Sequence, residues 1–217
     1  MTTQTPPTRL MLVTPPVADA EAMAFRLMQA LAGGDVAAVL LRLAEGDERT
    51  QIGRIKRLAG PVQAGNAALV VETAPVLAVR GGADGVHVTA GVESIGDARG
   101  TLKSERIVGA GNLRARHDAM DVGEAGVDYV MFGEPRPDGT LPPLPAVIER
   151  AGWWAEIFET PCVAYAPDIA AVAALAETGA EFVALGDWAF DEASDIRALV
   201  AEANEALAAC AARKAAR

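Results

Sequence analysis

Eight apolar runs, each the length of a strand, alternate with helical stretches along the whole chain, and this alternation limits the fold more than any other feature. The runs are Leu10–Thr14, Val36–Leu43, Ala67–Val71, Gly85–Val88, Arg106–Ala110, Asp128–Phe132, Cys162–Ala166 and Phe182–Gly186. They are continuous rather than alternating, the pattern of parallel strands covered on both faces. Between them, apolar residues recur at helical spacing. Val147, Ile148, Ala151, Trp154 and Phe158 form one such stripe, and Ile196, Leu199, Val200, Ala203, Leu207 and Cys210 form another. The last helix opens with Asp191, Glu192 and Asp195 and closes with Arg213 and Lys214, charges that suit a helix dipole. One phrase recurs three times: GADGVHV (82–88), GVDYVMFG (126–133) and GAEFVALG (179–186). Each has a glycine where a left-handed helix cap is easiest, then an acid, then a buried strand. Eight strands in strict alternation with helices predict a single (β/α)8 barrel. An open doubly wound sheet is the alternative, but its G-x-G-x-x-G turn is missing.

Bulk properties narrow the function classes. At 217 residues the chain suits one barrel domain over 9–217, with 1–8 as a flexible N-terminus. A net charge of −10 argues against a nucleic-acid surface. No apolar run is long enough to span a bilayer, and no secretory signal is visible at the N-terminus. Two cysteines, Cys162 and Cys210, are too few for a disulfide framework, and a cytoplasmic location is expected.

Barrels of this kind place chemistry at the C-terminal ends of their strands. Those ends carry Arg42, Glu72-Thr73, Val88-Thr89-Ala90, Gly111-Asn112, Gly133-Glu134, Ala166-Pro167 and Gly186-Asp187. The stretch GNLRARHDAM (111–120) is the densest in functional groups. Asn112, Arg114, Arg116 and His117 are candidates for a small anion site at a helix N-terminus, or for a solvated helix face. Glu72, Glu134 and Asp187 are candidates to hold a metal together, or to pair with the arginines. His87 follows a buried-strand pattern and reads as a core histidine. Gly133–Pro143, rich in Gly and Pro, is the candidate lid. Trp154 is expected inside and Trp153 at a barrel cap or subunit contact, so a homodimer is one expectation.

The order and spacing of GADGVHV, EAGVDYVMFG, RLMLVTP and VLLRLAEG resemble the thiamine phosphate synthase family and its thiazole tautomerase relatives. The resemblance covers Arg9 to about Ala189. It implies a (β/α)8 barrel that joins a hydroxymethylpyrimidine diphosphate to a thiazole phosphate, releasing pyrophosphate with help from Mg2+. Against the family's Gln-x-Arg-x-Lys, this chain has Leu40, Arg42 and Ala44. Its Asn-Asp-Arg falls on Glu72-Thr73-Ala74, so Thr73 stands where the family has a magnesium-binding Asp. His-Leu-Gly-Gln plus an acid falls on His87-Val88-Thr89-Ala90-Gly91. Gly-x-Ser-x-His falls on Ala110–Arg114, the Gly-Pro loop becomes Gly133-Glu134-Pro135 without a lysine, and the Gly-Gly turn becomes Ala166-Pro167. The three lysines, Lys56, Lys103 and Lys214, all lie away from strand ends.

A leaving diphosphate needs cations or preorganised amides. The replaced positions therefore predict that the standard coupling is not catalysed at a useful rate. Three readings follow. The first is a divergent thiamine-pathway enzyme binding a phosphate ligand through Arg42, Asn112 and Arg114, with Glu72 and Asp187 as further substrate-binding candidates. The second is a non-catalytic ligand-binding or regulatory paralogue. The third is a tautomerase-like isomerase with His117 or Glu134 as catalytic base.

Overall fold

The computed structural model describes residues 6–89, 91–136 and 138–216. Its elements run β1 (Arg9–Val13), α1 (Ala20–Leu31), β2 (Ala38–Arg42), α2 (Glu48–Ala64), β3 (Ala68–Glu72), α3 (Pro75–Gly81), β4 (Gly85–Val88), α4 (Val92–Leu102), β5 (Ile107–Ala110), α5 (Arg116–Glu124), β6 (Tyr129–Phe132), α6 (Leu144–Ile157), β7 (Cys162–Ala166), α7 (Val172–Glu177), β8 (Phe182–Leu185) and α8 (Ile196–Ala215). Every neighbouring strand pair is parallel, and β8 closes on β1. The molecule is a (β/α)8 barrel, as the alternation predicts. None of the described helices is long and apolar enough to cross a membrane.

The recurring Gly-acid phrase has a structural cause. Gly82, Gly126 and Gly179 all sit at positive φ, between 82° and 94°, just after α3, α5 and α7. A side chain there is strained, so glycine ends each helix cheaply. The acid that follows reaches sideways to the neighbouring strand. Asp84 accepts from the Leu69 amide at 2.7 Å, Asp128 from Val108 at 2.7 Å and Glu181 from Cys162 at 2.9 Å. Each carboxylate thus satisfies an amide at the N-terminal end of the barrel and ties two strands together. These acids hold the fold.

Strand alternation splits the core in two. One set of side chains, including Leu12, Val39, Leu41 and Phe132, faces the helices. The other fills the barrel: Met11, Val13, Leu40, Val70, Tyr129, Met131, Val163, Tyr165 and Ala184. The two tyrosines fit because the adjoining strand offers no side chain. A Cβ at Gly109 would strike the Tyr129 ring, and one at Gly186 would strike Tyr165. Trp154 is buried on α6 and donates its indole N–H to Thr160 O at 2.7 Å. Trp153 packs edge-on against Trp154 and Phe158, with the Arg116 guanidinium 4.7 Å above its ring. Both cysteines are buried and unbridged, and burial pushes the Cys162 thiol up to about 12. Met1–Thr5 lie outside the described residues, while the Thr8 hydroxyl donates to Ala180 O at 2.8 Å.

Candidate functional site

The C-terminal ends of β2 to β6 bring several polar side chains to the barrel mouth. Arg42 and Glu72 are register partners on β2 and β3. Their side chains pair at 3.6 Å, and the Arg42 amide donates to Thr14 Oγ1. On β4, His87 points into the barrel and is only 2% exposed. Its Nδ1 lies 2.9 Å from the Tyr129 hydroxyl. Burial, then the nearby Glu134, Glu72 and Asp128, raise the Tyr129 pKa well above the ordinary phenol value, so it stays a neutral phenol.

Glu134 leaves the end of β6 and turns back over β5. Its Oε1 accepts the Asn112 amide at 2.8 Å and lies 3.7 Å from His87 Nε2. Asn112 holds an uncommon φ of +56°, which aims that amide at the carboxylate. Gly111 makes room, since a Cβ there would meet both His87 Nε2 and the Glu134 carboxylate. Among the described residues, His87 Nε2 and Glu134 Oε2 are the two buried side-chain atoms without a hydrogen-bond partner.

Beside Glu134 opens a cleft of about 570 Å³, lined among others by Asn112, Arg114, Arg136 and Arg150. Arg150 is anchored to Leu113 O at 2.8 Å. The loop over the cleft folds on itself: the Arg136 amide donates to Thr140 O, and Asp138 accepts from the Thr140 amide and hydroxyl. Pro137, inside the Gly133–Pro143 stretch read as a lid, lies outside the described residues.

The other candidates fall elsewhere. His117 sits in the first turn of α5, 74% exposed, with Nε2 3.1 Å from Asp118. Arg116 faces outward and pairs with Glu149 at 2.6 Å. Just before that helix, the Asp118 carboxylate accepts from Arg114 N and Ala115 N, which sets a negative charge at its N-terminal end. Asp187 lies at the β8 end, where its Oδ1 accepts from the Tyr165 hydroxyl and the Trp188 amide. Trp188 Nε1 donates to Ala166 O, closing the β7 end as well. Glu72, Glu134 and Asp187 do not gather, and among the described residues no three carboxylate, imidazole or thiol groups converge as a metal site would need. A second cleft of about 630 Å³ lies at the opposite end of the barrel, where Gln63 and Asp84 bond to each other.

Residue reading missed His87 as part of the mouth. The signal was there: His87 stands one residue from the C-terminal end of β4, and strand alternation turns it to the opposite face from Val86 and Val88. Its partner Glu134 is 47 positions away, and the side-by-side pairing of β4, β5 and β6 joins them.

Residues 10–187 match the family model described as thiamine monophosphate synthase. The chain belongs to this family. It is 37% identical over 201 residues to a thiamine-phosphate synthase of Rhodospirillum centenum, covering 92% of this chain and 97% of that protein. A thiamine-phosphate synthase of Hyphomonas neptunium is 34% identical over 192 residues, covering 84% and 87%. Among solved structures, a thiamine phosphate pyrophosphorylase from Pyrococcus furiosus superposes with a TM-score of 0.75 at 21% identity, over 93% of this chain and 96% of that one.

Proposed function

We propose that this barrel acts in thiamine biosynthesis by binding a phosphorylated thiazole or pyrimidine precursor in the arginine cleft between the β5 and β6 ends. The observation that carries this reading is the grouping of Arg114, Arg136 and Arg150 around Asn112 in one cleft of a chain with net charge −10. Guanidinium groups match phosphate in both charge and shape. The opposite side of the mouth suits no anion. Pro167 has no amide to donate, and Asp187 carries negative charge. The phosphate site is therefore expected on β5–β6.

The family's magnesium does not fit these residues. Thr73, at the family's aspartate position, donates its hydroxyl to Gln51 at 3.3 Å. Gly91 offers no ligand, Ala90 lies outside the described residues, and Glu72 is held by Arg42. The chain's own residues bind the phosphate through the arginines and set the Glu134 carboxylate beside it at the mouth, which supports a reaction other than magnesium-assisted diphosphate displacement.

The full-length similarity to proteins named thiamine-phosphate synthase favours a second reading, the coupling itself. Two measurements separate the readings. Thermal shift with thiazole phosphate, the pyrimidine diphosphate and thiamine phosphate should show stabilisation by at least one of them. Thiamine phosphate formation from both substrates should stay at background with or without Mg2+. Robust magnesium-dependent turnover would establish the coupling reading. No thermal shift with any of the three would remove the arginine cleft as their site.

A further inference from the structure

The buried pair His87–Glu134 stands directly beside the arginine cleft, and its two orphan atoms suggest what it does there. Glu134 is 16% exposed and lines the cleft, yet its Oε2 has no partner among the described residues. His87 lines the neighbouring cleft that also contains Glu72, Thr73 and Asp97, so the pair bridges the two. Whichever ring nitrogen carries the neutral imidazole's proton, Tyr129 can complement Nδ1, because a phenol both donates and accepts. In the tautomer whose Nδ1–H donates to the Tyr129 hydroxyl, Nε2 is the open nitrogen that faces the carboxylate.

An anion entering the cleft brings negative charge against Glu134. The other titratable groups nearby are committed elsewhere: Asp138 to Thr140, Asp118 to the Arg114 and Ala115 amides, and exposed His117 to Asp118. Arg42 and Glu72 compensate each other on β2 and β3. Tyr129 on β6 is already neutral. From β5 comes only Gly111, without a side chain, and then Asn112 and Arg114, while Arg150 on α6 and Arg136 beside Asp138 on the loop keep fixed charges. Asp187 is turned to Tyr165 and Trp188.

We propose that the His87–Glu134 pair makes anion binding in this cleft proton-coupled: the pair takes one proton from solvent, between Nε2 and the carboxylate, when a phosphate or sulfate group binds, and returns it on release. This inference rests on the arginine-cleft reading.

The test uses sulfate, which does not titrate between pH 6 and 9, so proton uptake belongs to the protein. Sulfate affinity is followed by amide shifts of Asn112 and Gly133 across that range. Wild-type affinity should fall as pH rises, approaching tenfold per unit where the pair loses its proton. Glu134→Gln keeps the shape of the site and should make affinity nearly flat with pH. His87→Asn should flatten it too, and serves if the first variant folds poorly. Arg114→Ala should weaken sulfate at every pH without changing the slope. A pH-independent wild-type affinity that still depends on Arg114 overturns proton coupling and leaves the cleft reading standing. Sulfate affinity indifferent to Arg114→Ala, or no sulfate binding, overturns the cleft reading and this inference with it. An unchanged slope in both Glu134→Gln and His87→Asn assigns the proton elsewhere.

Discussion

Tyr129 and Tyr165 sit on neighbouring strands inside the barrel, and each fills space left by a glycine, Gly109 on β5 or Gly186 just past β8. Their hydroxyls end differently. Tyr129 meets His87, whose other nitrogen has no hydrogen-bond partner among the described residues and faces Glu134. Tyr165 meets Asp187, whose same oxygen also takes the Trp188 amide, and Trp188 in turn closes on Ala166 O. One packing device therefore supports an open polar group on the β4–β6 side and a sealed one on the β7–β8 side. The arginine cleft lies on the open side. Packing sets where the groups stand, and the leftover hydrogen-bonding capacity marks which side is available to a ligand.

The largest expected effect tests the shared device. Gly109→Ala would drive a methyl into the Tyr129 ring and should destabilise the barrel by roughly 3 kcal/mol in urea unfolding. Gly186→Ala should cost about as much. A cost under roughly 0.5 kcal/mol at either glycine, the level of an ordinary surface change, would show that its tyrosine is not tightly packed.

The next effect separates the two sides. Arg114→Ala should weaken a phosphate ligand by roughly 2 kcal/mol, as expected for losing a hydrogen bond to a charged group. Asp187→Asn should not weaken it. The reverse result in a binding titration would move the ligand to the β7–β8 side.

Smaller still are the hydroxyl deletions. Tyr129→Phe strips the buried His87 Nδ1 of its partner and should cost roughly 1.5 kcal/mol. Tyr165→Phe should cost about 1 kcal/mol or less, since Asp187 keeps the Trp188 amide. Equal losses would mean that the two sides are equally open.

Alkaline titration sharpens the comparison with the gentlest perturbation. Burial first, and neighbouring carboxylates second, raise both phenols above their ordinary value, with Glu134 acting on Tyr129 and Asp187 on Tyr165. A raised native pKa means the folded state holds the proton more tightly. That contribution is full below the unfolded phenol value, near 10, and is lost as pH rises above it. The chain has only two tyrosines. Phenolate absorbance should therefore appear together with loss of structure, at a pH where urea resistance is already falling. Phenolate forming in the folded protein would identify a phenol that reaches water.

Much of the architecture was readable from residues alone. The eight apolar runs match the eight strands to within a residue or two at most ends, because continuous burial on both faces is written into composition. Gly82, Gly126 and Gly179 mark helix ends because only glycine takes that backbone cheaply. The site was only partly readable. His117 and Arg116 looked like neighbours of Arg114 in sequence, but the helix turns them outward, 74% exposed in the case of His117. Successive residues on a helix point about 100° apart, so adjacency in sequence is not adjacency at a site.

Local sequence determined the period of the strands, the helix caps and the family to which this barrel belongs, since each depends on a few consecutive residues or on their order. Which polar groups meet was decided by how the strands pair side by side. The contact between His87 and Glu134, the bond between Tyr165 and Asp187, and the gathering of Arg114, Arg136 and Arg150 all join residues from different elements. The shape of the ring sets those distances, and no stretch of chain encodes it alone.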